Sequence, residues 1–419
     1  MVVSRIARFR DLLRTYPRQF WVLIVALFID RLGGALMFPY LTLYITRKFG
    51  VGMTEVGVVF ALFSLASMVG GTLGGALTDR LGRKSMLISG LLFSGFTSLM
   101  LGLAEEIEIV YTGAVIVGLF ANIGGPAQQA MVADLLPEEQ RSQGFGILRV
   151  VANLAVTVGP AIGGLLAARS YLLIFAGDAL FSTLTALIVL WAIQETKPEV
   201  SKEQEAESWL QTFRGYGVPL RNAAFMAFIA ASFLLVLVAM QMGVTLPVYL
   251  RDVHGVPERG YGYILSLNAL LVVLFQFSIS RWSSQQRPLL IMALGAFLYG
   301  LGSALYGFVS LYALFLVAIV IVTLGEMLTA PTGQALVARY APADMRGRYM
   351  ALYGFSWMVP QVAGPLLTGR VMDTRDPRWV WYGAGIVGSV TTLAFLGLYA
   401  WERLREKRLQ NKRKEVASV

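Results

Sequence analysis

An all-α integral membrane fold, with twelve transmembrane helices in two pseudo-symmetric six-helix bundles, follows from three observations. The 419-residue chain is 56% hydrophobic and 14% charged, whereas soluble domains carry about 25% charged residues. Twelve predominantly apolar runs each approach or exceed the roughly 20 residues that a bilayer-spanning helix needs. The second half of the chain also repeats the first. Too little polar surface remains to coat a water-soluble domain of this size. Low charge and the lack of a glycine period exclude disordered and collagen-like chains. With no cysteine and one histidine, His254, a disulfide framework, thiol catalysis and a conventional zinc site are excluded as well.

The spans are bounded by charge or turn clusters. The first, 20–46, follows a basic leader; it is too long, and too interrupted by Asp30 and Arg31, for a cleaved signal peptide. Next come 54–78, ending at Asp79-Arg80, then 85–104, which starts after Arg83-Lys84, and 107–134, which follows the acidic loop Glu105, Glu106, Glu108. The fifth and sixth runs are 142–168 and 171–194. A polar linker, 196–221, leads to 222–250, 260–280, 288–308, 310–338, 348–369 and 378–401. Proline recurs inside the runs (Pro39, Pro126, Pro160, Pro247, Pro331, Pro360, Pro365), as membrane helices tolerate. The expected division is therefore 1–195, an N-terminal six-helix bundle; 196–221, a linker; 222–405, a C-terminal bundle; and 406–419, a basic tail.

Lysine and arginine fix the orientation. Twenty-five fall on the side of the termini and eight on the other, with Arg31 and Arg149 inside spans. Both termini are expected in the cytoplasm, which an even number of spans also requires. The net charge of +10 is spread over loops and tail without interleaved aromatics. It therefore points to the anionic lipid surface, on which Arg403–Lys414 is expected to rest, and not to nucleic acid.

Sliding the chain over itself by 205 positions lays GPAQQAMVADLLPEEQR (125–141) on APTGQALVARYAPADMR (330–346), with seven identities: Pro126/Pro331, Gln129/Gln334, Ala130/Ala335, Val132/Val337, Ala133/Ala338, Pro137/Pro342 and Arg141/Arg346. The same offset carries Gly159-Pro160 onto Gly364-Pro365. Parallel six-helix repeats are a transporter architecture, with substrate bound near the midplane.

Three motifs carry a resemblance. Gly75-Ala-Leu77-Thr-Asp79-Arg80-Leu-Gly82-Arg83-Lys84 follows the second span, Gly159-Pro160-Ala-Ile-Gly163-Gly164 lies in the fifth, and Asp30 with Pro39 marks the first. Over essentially its whole length the chain resembles a major facilitator superfamily transporter, and within that group the twelve-helix drug:proton antiporters. One departure stands out: GLFANIGGPAQQ in the fourth span lacks the basic residue that many such antiporters carry, and Arg149 appears in the fifth instead. The resemblance implies that Asp79 docks on the start of the eleventh span, beside Arg346. It further implies that Gly75, Asp79, Arg80, Gly82, Arg83, Asp134, Arg141, Gly159, Pro160 and Arg346 gate the cytoplasmic side. Ser284 stands where the second half would carry the matching acid.

Asp30 and Glu326 are the expected proton-coupling residues. Each sits deep in a span, where a charge costs about 2.5–3.5 kcal/mol on insertion scales and so faces a partner or a wet cavity; burial in general favours the protonated form of a carboxylate. The plainer reading is a static ion pair such as Asp30 with Arg149. Arg31, Asn122, Arg149, Gln241, Asn268, Tyr353, Trp357 and Gln361 are expected cavity residues, with Gln276 a further candidate, though any one of them also suits burial between helices. Asp178, some seven residues from the outer end of its span, suits a wet or locally paired position. Gly159-Pro160 and Gly364-Pro365 suit close helix packing, and His254 an extracellular loop.

No Walker sequence and no nucleophile–base pair is present, so neither ATP-driven transport nor an enzyme is expected. The expectation is a monomeric, proton-coupled exporter of amphiphilic or lipophilic, cationic organic compounds, of the multidrug-efflux type, in a bacterial inner membrane. Its partners are a small-molecule substrate, protons and membrane lipids; it takes no metal and no cofactor beyond the proton gradient. Export or flipping of lipid-like molecules, a sugar or metabolite carrier, and a non-transporting receptor stay open on sequence.

Overall fold

The computed structural model describes residues 16–121, 123–196, 217–342 and 345–417, with no strand among them. In chain order the helices are α1 (Arg18–Met37), a 3-10 turn at Phe38–Tyr40 around Pro39, α2 (Leu41–Phe49), α3 (Met53–Leu81), α4 (Arg83–Leu103), α5 (Ile107–Ala121), α6 (Gly124–Asp134), α7 (Glu138–Ala167) and α8 (Tyr171–Ala192). They continue with α9 (Gly217–Arg221), α10 (Ala223–Val244), α11 (Leu246–His254), α12 (Glu258–Ser283), α13 (Pro288–Phe308), α14 (Tyr312–Tyr340), α15 (Arg346–Thr374) and α16 (Arg378–Ala417).

Among the described residues, eleven helical stretches are long and apolar enough to cross a membrane, against the twelve expected. The expected eleventh span, α15, is not among them; it has 29 residues, or roughly 44 Å at the α-helical rise, and includes Arg346, Arg348, Gln361, Arg370 and Asp373. Large apolar side chains such as Trp191, Phe277, Phe308 and Leu393 stand exposed on the outer faces, as suits a surface solvated by lipid.

The sequence repeat is reproduced helix by helix. α1 and α10 start at Arg18 and Ala223, α2 and α11 at Leu41 and Leu246, and α3 and α12 at Met53 and Glu258. α4 and α13 start at Arg83 and Pro288, and α5 and α14 at Ile107 and Tyr312; these five pairs are each 205 positions apart, and α7/α15 and α8/α16 start 208 and 207 apart.

The described residues within Met1–Lys202 and Leu246–Ala269 form one compact unit, and those within Glu203–Thr245 and Leu270–Val419 a second. In the first, α1 packs on α7 and α8, and α4 on α5 and α8. In the second, the repeat-related α10 packs on α15 and α16, and α13 on α14 and α16. Small residues allow these approaches: a Cβ on Gly118 of α5 would lie 2.6 Å from the Phe63 carbonyl oxygen of α3, and one on Gly300 of α13 would lie 2.9 Å from Gly388 Cα of α16.

Leu246–Ala269, which by sequence belongs to the second repeat, is tied into the first unit. Arg47 Nη1 lies 2.6 Å from Glu258 Oε1, and Tyr171 Oη donates to the same oxygen at 3.0 Å. Arg251 Nη1 donates to the Leu43 carbonyl at 3.3 Å, and Tyr261 meets Tyr40 edge-on. His254 closes α11 with its ring against Tyr249, so it belongs to a helix end and not to the expected loop. α16 runs unbroken to Ala417, well past the expected end of its span at 401.

Candidate functional site

Each unit encloses an intramembrane cavity with its own carboxylate. The first, about 330 Å³, is walled by α1, α2, α3, α4, α5, α6 and α8; Asp30, Arg31, Ser94, Ser98, Gln128 and Asp178 face it among apolar groups such as Met37, Phe60 and Phe63. The seam between α1 and α8 builds its acidic wall. Asp178, Ser182 and Thr185 recur at helical spacing opposite Ala26, Asp30 and Gly33. Thr185 Oγ1 donates to the Ala26 carbonyl at 3.0 Å and Ser182 Oγ to Asp30 Oδ1 at 3.1 Å. One turn on, a Cβ added to Gly33 would stand 2.8 Å from Asp178 Oδ1. Asp178 is 4% exposed and lines the same cavity as Asp30.

The second cavity, about 190 Å³, lies among α10, α13, α14 and α15. Glu326 faces it with Tyr299, Tyr353, Trp357, Met240, Met242, Ser232 and Thr329. Its floor is fixed by the approach of α13 to α14, where a Cβ on Gly325 would come 2.9 Å from Tyr299 N, and by Phe228 stacked on Tyr353. The remaining expected cavity residues separate from these two sites. Gln241 Nε2 donates to the Leu237 carbonyl at 2.8 Å and Gln241 Oε1 accepts from Thr245 Oγ1 at 2.6 Å, so it braces the end of α10. Gln276 Nε2 reaches the Met327 carbonyl at 3.1 Å and joins α12 to α14. Asn268 is buried in the part of α12 that belongs to the first unit, and neither it nor Gln361 lines either cavity. Asn122, and the side chains of Arg149, Gly75, Asp79, Arg141 and Arg346, lie outside the described residues.

Of the expected gating residues, Arg83 and Asp134 meet, Nε to Oδ2 at 3.1 Å, and Thr196 Oγ1 donates to Asp134 Oδ2 at 3.3 Å. Arg80 is exposed. Gly82 turns the chain between α3 and α4 with φ +100°, a region open to glycine and strained for other residues. Sequence reasoning missed Glu195, the last residue of the expected N-terminal bundle. Its carboxylate accepts from the backbone N–H of Arg83 at 2.9 Å, of Lys84 at 3.2 Å and of Thr196 at 2.9 Å. An anion there meets the positive end of α4. The signal available was an acid directly after the sixth span, in QETKP. In the fifth span, Gly159 is pressed against Ala35 of α1, where an added Cβ would meet the Ala35 carbonyl carbon at 2.9 Å, and the Pro160 carbonyl accepts from Tyr40 Oη at 2.5 Å.

Repeat-related six-helix frames, membrane-length apolar helices and small polar cavities within the spans define a polytopic membrane transporter. The family model for the Major Facilitator Superfamily matches residues 23–365 and 257–419, and the chain belongs to that family. It is similar to the Na(+), Li(+), K(+)/H(+) antiporter of Planococcus maritimus, 28% identical over 93% of this chain and 96% of the relative. It is also similar to the multidrug resistance protein MdtH of Shigella flexneri, 24% identical over 97% and 99%. Among solved structures, the nucleoside transporter NupG superposes with a TM-score of 0.76 at 15% identity, covering 91% of this chain and 99% of that one. A peptide transporter POT in complex with sulfate superposes with 0.74 at 18% identity, covering 92% and 94%. These structural likenesses concern the fold.

Proposed function

We propose that this transporter exports amphiphilic, cationic organic compounds from a bacterial cytoplasm in exchange for protons, by alternating access, with both termini cytoplasmic and the proton gradient as its energy source. The observation that carries the reading is a cavity in each unit with its own acid: Asp30 and Asp178 in one, Glu326 amid aromatic and methionine side chains in the other. Asp30 and Asp178 line one cavity, with Ser182 Oγ donating to Asp30, and this paired acidic wall suits the proton-exchange step. A carboxylate ringed by Tyr299, Tyr353 and Trp357 suits an organic cation, which gains from both charge and ring faces.

A second reading, exchange of alkali cations for protons, is favoured by the relative from Planococcus maritimus and by the oxygen-rich wall of Asp30, Asp178 and Ser182. Proteoliposomes with an imposed pH gradient separate the two. Gradient-driven uptake of tetraphenylphosphonium, lost in Asp30→Asn, supports organic-cation antiport. Uptake of sodium or potassium alone, equally gradient-driven, moves the function to the second reading. Flux of neither, with protein shown to be folded and inserted, overturns both.

A further inference from the structure

At the end of the second unit where α10 and α13 begin and α14 ends, a cleft of about 560 Å³ opens. It is lined by Arg287, Arg339, Arg403 and Arg405, with Tyr399 and Trp401 beside them. Arg287 lies over the Tyr399 ring at 5.5 Å and Arg405 over the Trp401 ring at 5.6 Å, which holds these guanidinium groups on a rigid aromatic wall. Two acids also line it, Glu402 and Glu406. Glu402 accepts from Tyr340 Oη at 2.7 Å, and none of the four arginines forms an ion pair within 4.0 Å among the described residues. The repeat shows what is missing. The start of α4, with its Gly82, Arg83 and Asp134, corresponds at the offset of 205 to Arg287, Pro288 and Arg339. In the first unit Asp134 and Glu195 supply the negative charge at that place; in the second, arginine stands where Asp134 would be and the space is open.

We propose that this cleft binds the phosphate group of an anionic ligand, the phosphodiester of an acidic phospholipid headgroup or free phosphate. The arginine fork matches phosphate bidentately, and basic pockets between helix ends at the cytoplasmic face hold acidic headgroups in other membrane proteins. Trp401, 42% exposed, stands at the end of the apolar run 378–401, and aromatics at the ends of membrane spans favour the headgroup level.

The test uses the full chain purified in detergent and stripped of lipid. Thermal unfolding is followed while dioleoylphosphatidylglycerol, dioleoylphosphatidylcholine or inorganic phosphate is added, and native mass spectrometry counts retained lipid. Phosphatidylglycerol is expected to raise Tm by several degrees and to remain bound, with phosphatidylcholine inert. Arg287→Gln/Arg339→Gln is expected to lose both effects, and Arg375→Gln, exposed and outside the cleft lining, to keep them. Inorganic phosphate matching phosphatidylglycerol identifies free phosphate as the source; a response to the lipid alone identifies the headgroup. Should the double variant not fold, Arg339→Asp serves: it places an acid where the first unit has one, and is expected to keep the lipid-free Tm while losing the phosphatidylglycerol increment. An increment of equal size in wild type and in the folded variant, or the same response to all three additives, overturns the proposal.

Discussion

The two repeats share a helix frame and differ in where they keep their charge. In the first unit, the start of α4 is closed by the chain's own residues: Glu195 on the exposed amides of Arg83 and Lys84, and Asp134 on the Arg83 guanidinium. In the second unit, the corresponding start of α13 faces a cleft in which arginine outnumbers acid. The cavities are just as unlike. The acids Asp30 and Asp178 of the first unit correspond by offset to Leu235 and Gly383, and Glu326 of the second corresponds to Ala121. The helix frame is therefore shared by the two repeats while these cavity acids are not, as expected if the frame sets helix packing and the acids set what each half does.

The largest expected effect separates the two acidic cavities. Asp30→Asn keeps shape and removes titration, so pH-gradient-driven flux should fall at least tenfold while equilibrium binding of an organic cation, read by ligand-induced thermal shift, changes little. Glu326→Gln should do the reverse and weaken binding first. Loss of one favourable charge contact of roughly 1.4 kcal/mol is a tenfold change in affinity. If both variants lose coupling and neither loses binding, the division of labour between the units is wrong.

Packing gives the next contrast. Gly159 and Gly364 are equivalent by sequence, but their surroundings are not: a Cβ on Gly159 would meet the Ala35 backbone carbon at 2.9 Å, whereas one on Gly364 would lie 3.6 Å from Leu237 Cδ2, an ordinary contact. Gly159→Ala should therefore destabilise by about 1–3 kcal/mol through overpacking. Gly364→Ala should be neutral, or stabilising by up to about 1 kcal/mol from helix propensity. Thermal unfolding of the two variants in one detergent measures the difference; equal losses would mean that the two Gly-Pro sites are packed alike.

Much of this frame was legible in the sequence because lipid demands it. Apolar runs bounded by charges located the membrane helices, and the same offset that aligned Pro126 with Pro331 later aligned the helix starts. What stayed hidden depends on residues that meet only in three dimensions. Asp178 looked peripheral by its distance from the end of its span, yet Gly33 lets α1 close over it. Gln241 looked like a cavity residue because it is an amide in an apolar run, but it satisfies its own helix. Glu195 and Glu258 fall outside the apolar runs 171–194 and 260–280, and neither a helix amide nor a distant arginine is visible from the neighbouring residues. The arginine cleft draws on residues 222, 287–289, 336–340 and 399–406, which no local motif joins.

The smallest effect tests whether Glu195 supplies charge or only hydrogen bonds. Its carboxylate accepts from the first amides of α4, where four N–H groups lack partners within the helix. Glu195→Gln retains one acceptor oxygen but loses the interaction of an anion with the helix end, about 0.3–1 kcal/mol for an exposed site. Glu195→Ala loses the acceptor as well, and a missing cap typically costs about 1 kcal/mol. Unfolding temperature should therefore fall in the order wild type, Gln, Ala, with the wild-type-to-Gln step shrinking as salt is raised, because screening acts on the charge and not on the hydrogen bonds. In the second unit arginine outnumbers the acids Glu402 and Glu406 around the matching helix start, so raising salt in the absence of lipid should instead relieve repulsion among its arginines. A Glu195→Gln step that is insensitive to salt would show that the first unit closes this helix end by hydrogen bonding alone, and that the contrast between the two repeats lies in geometry and not in charge.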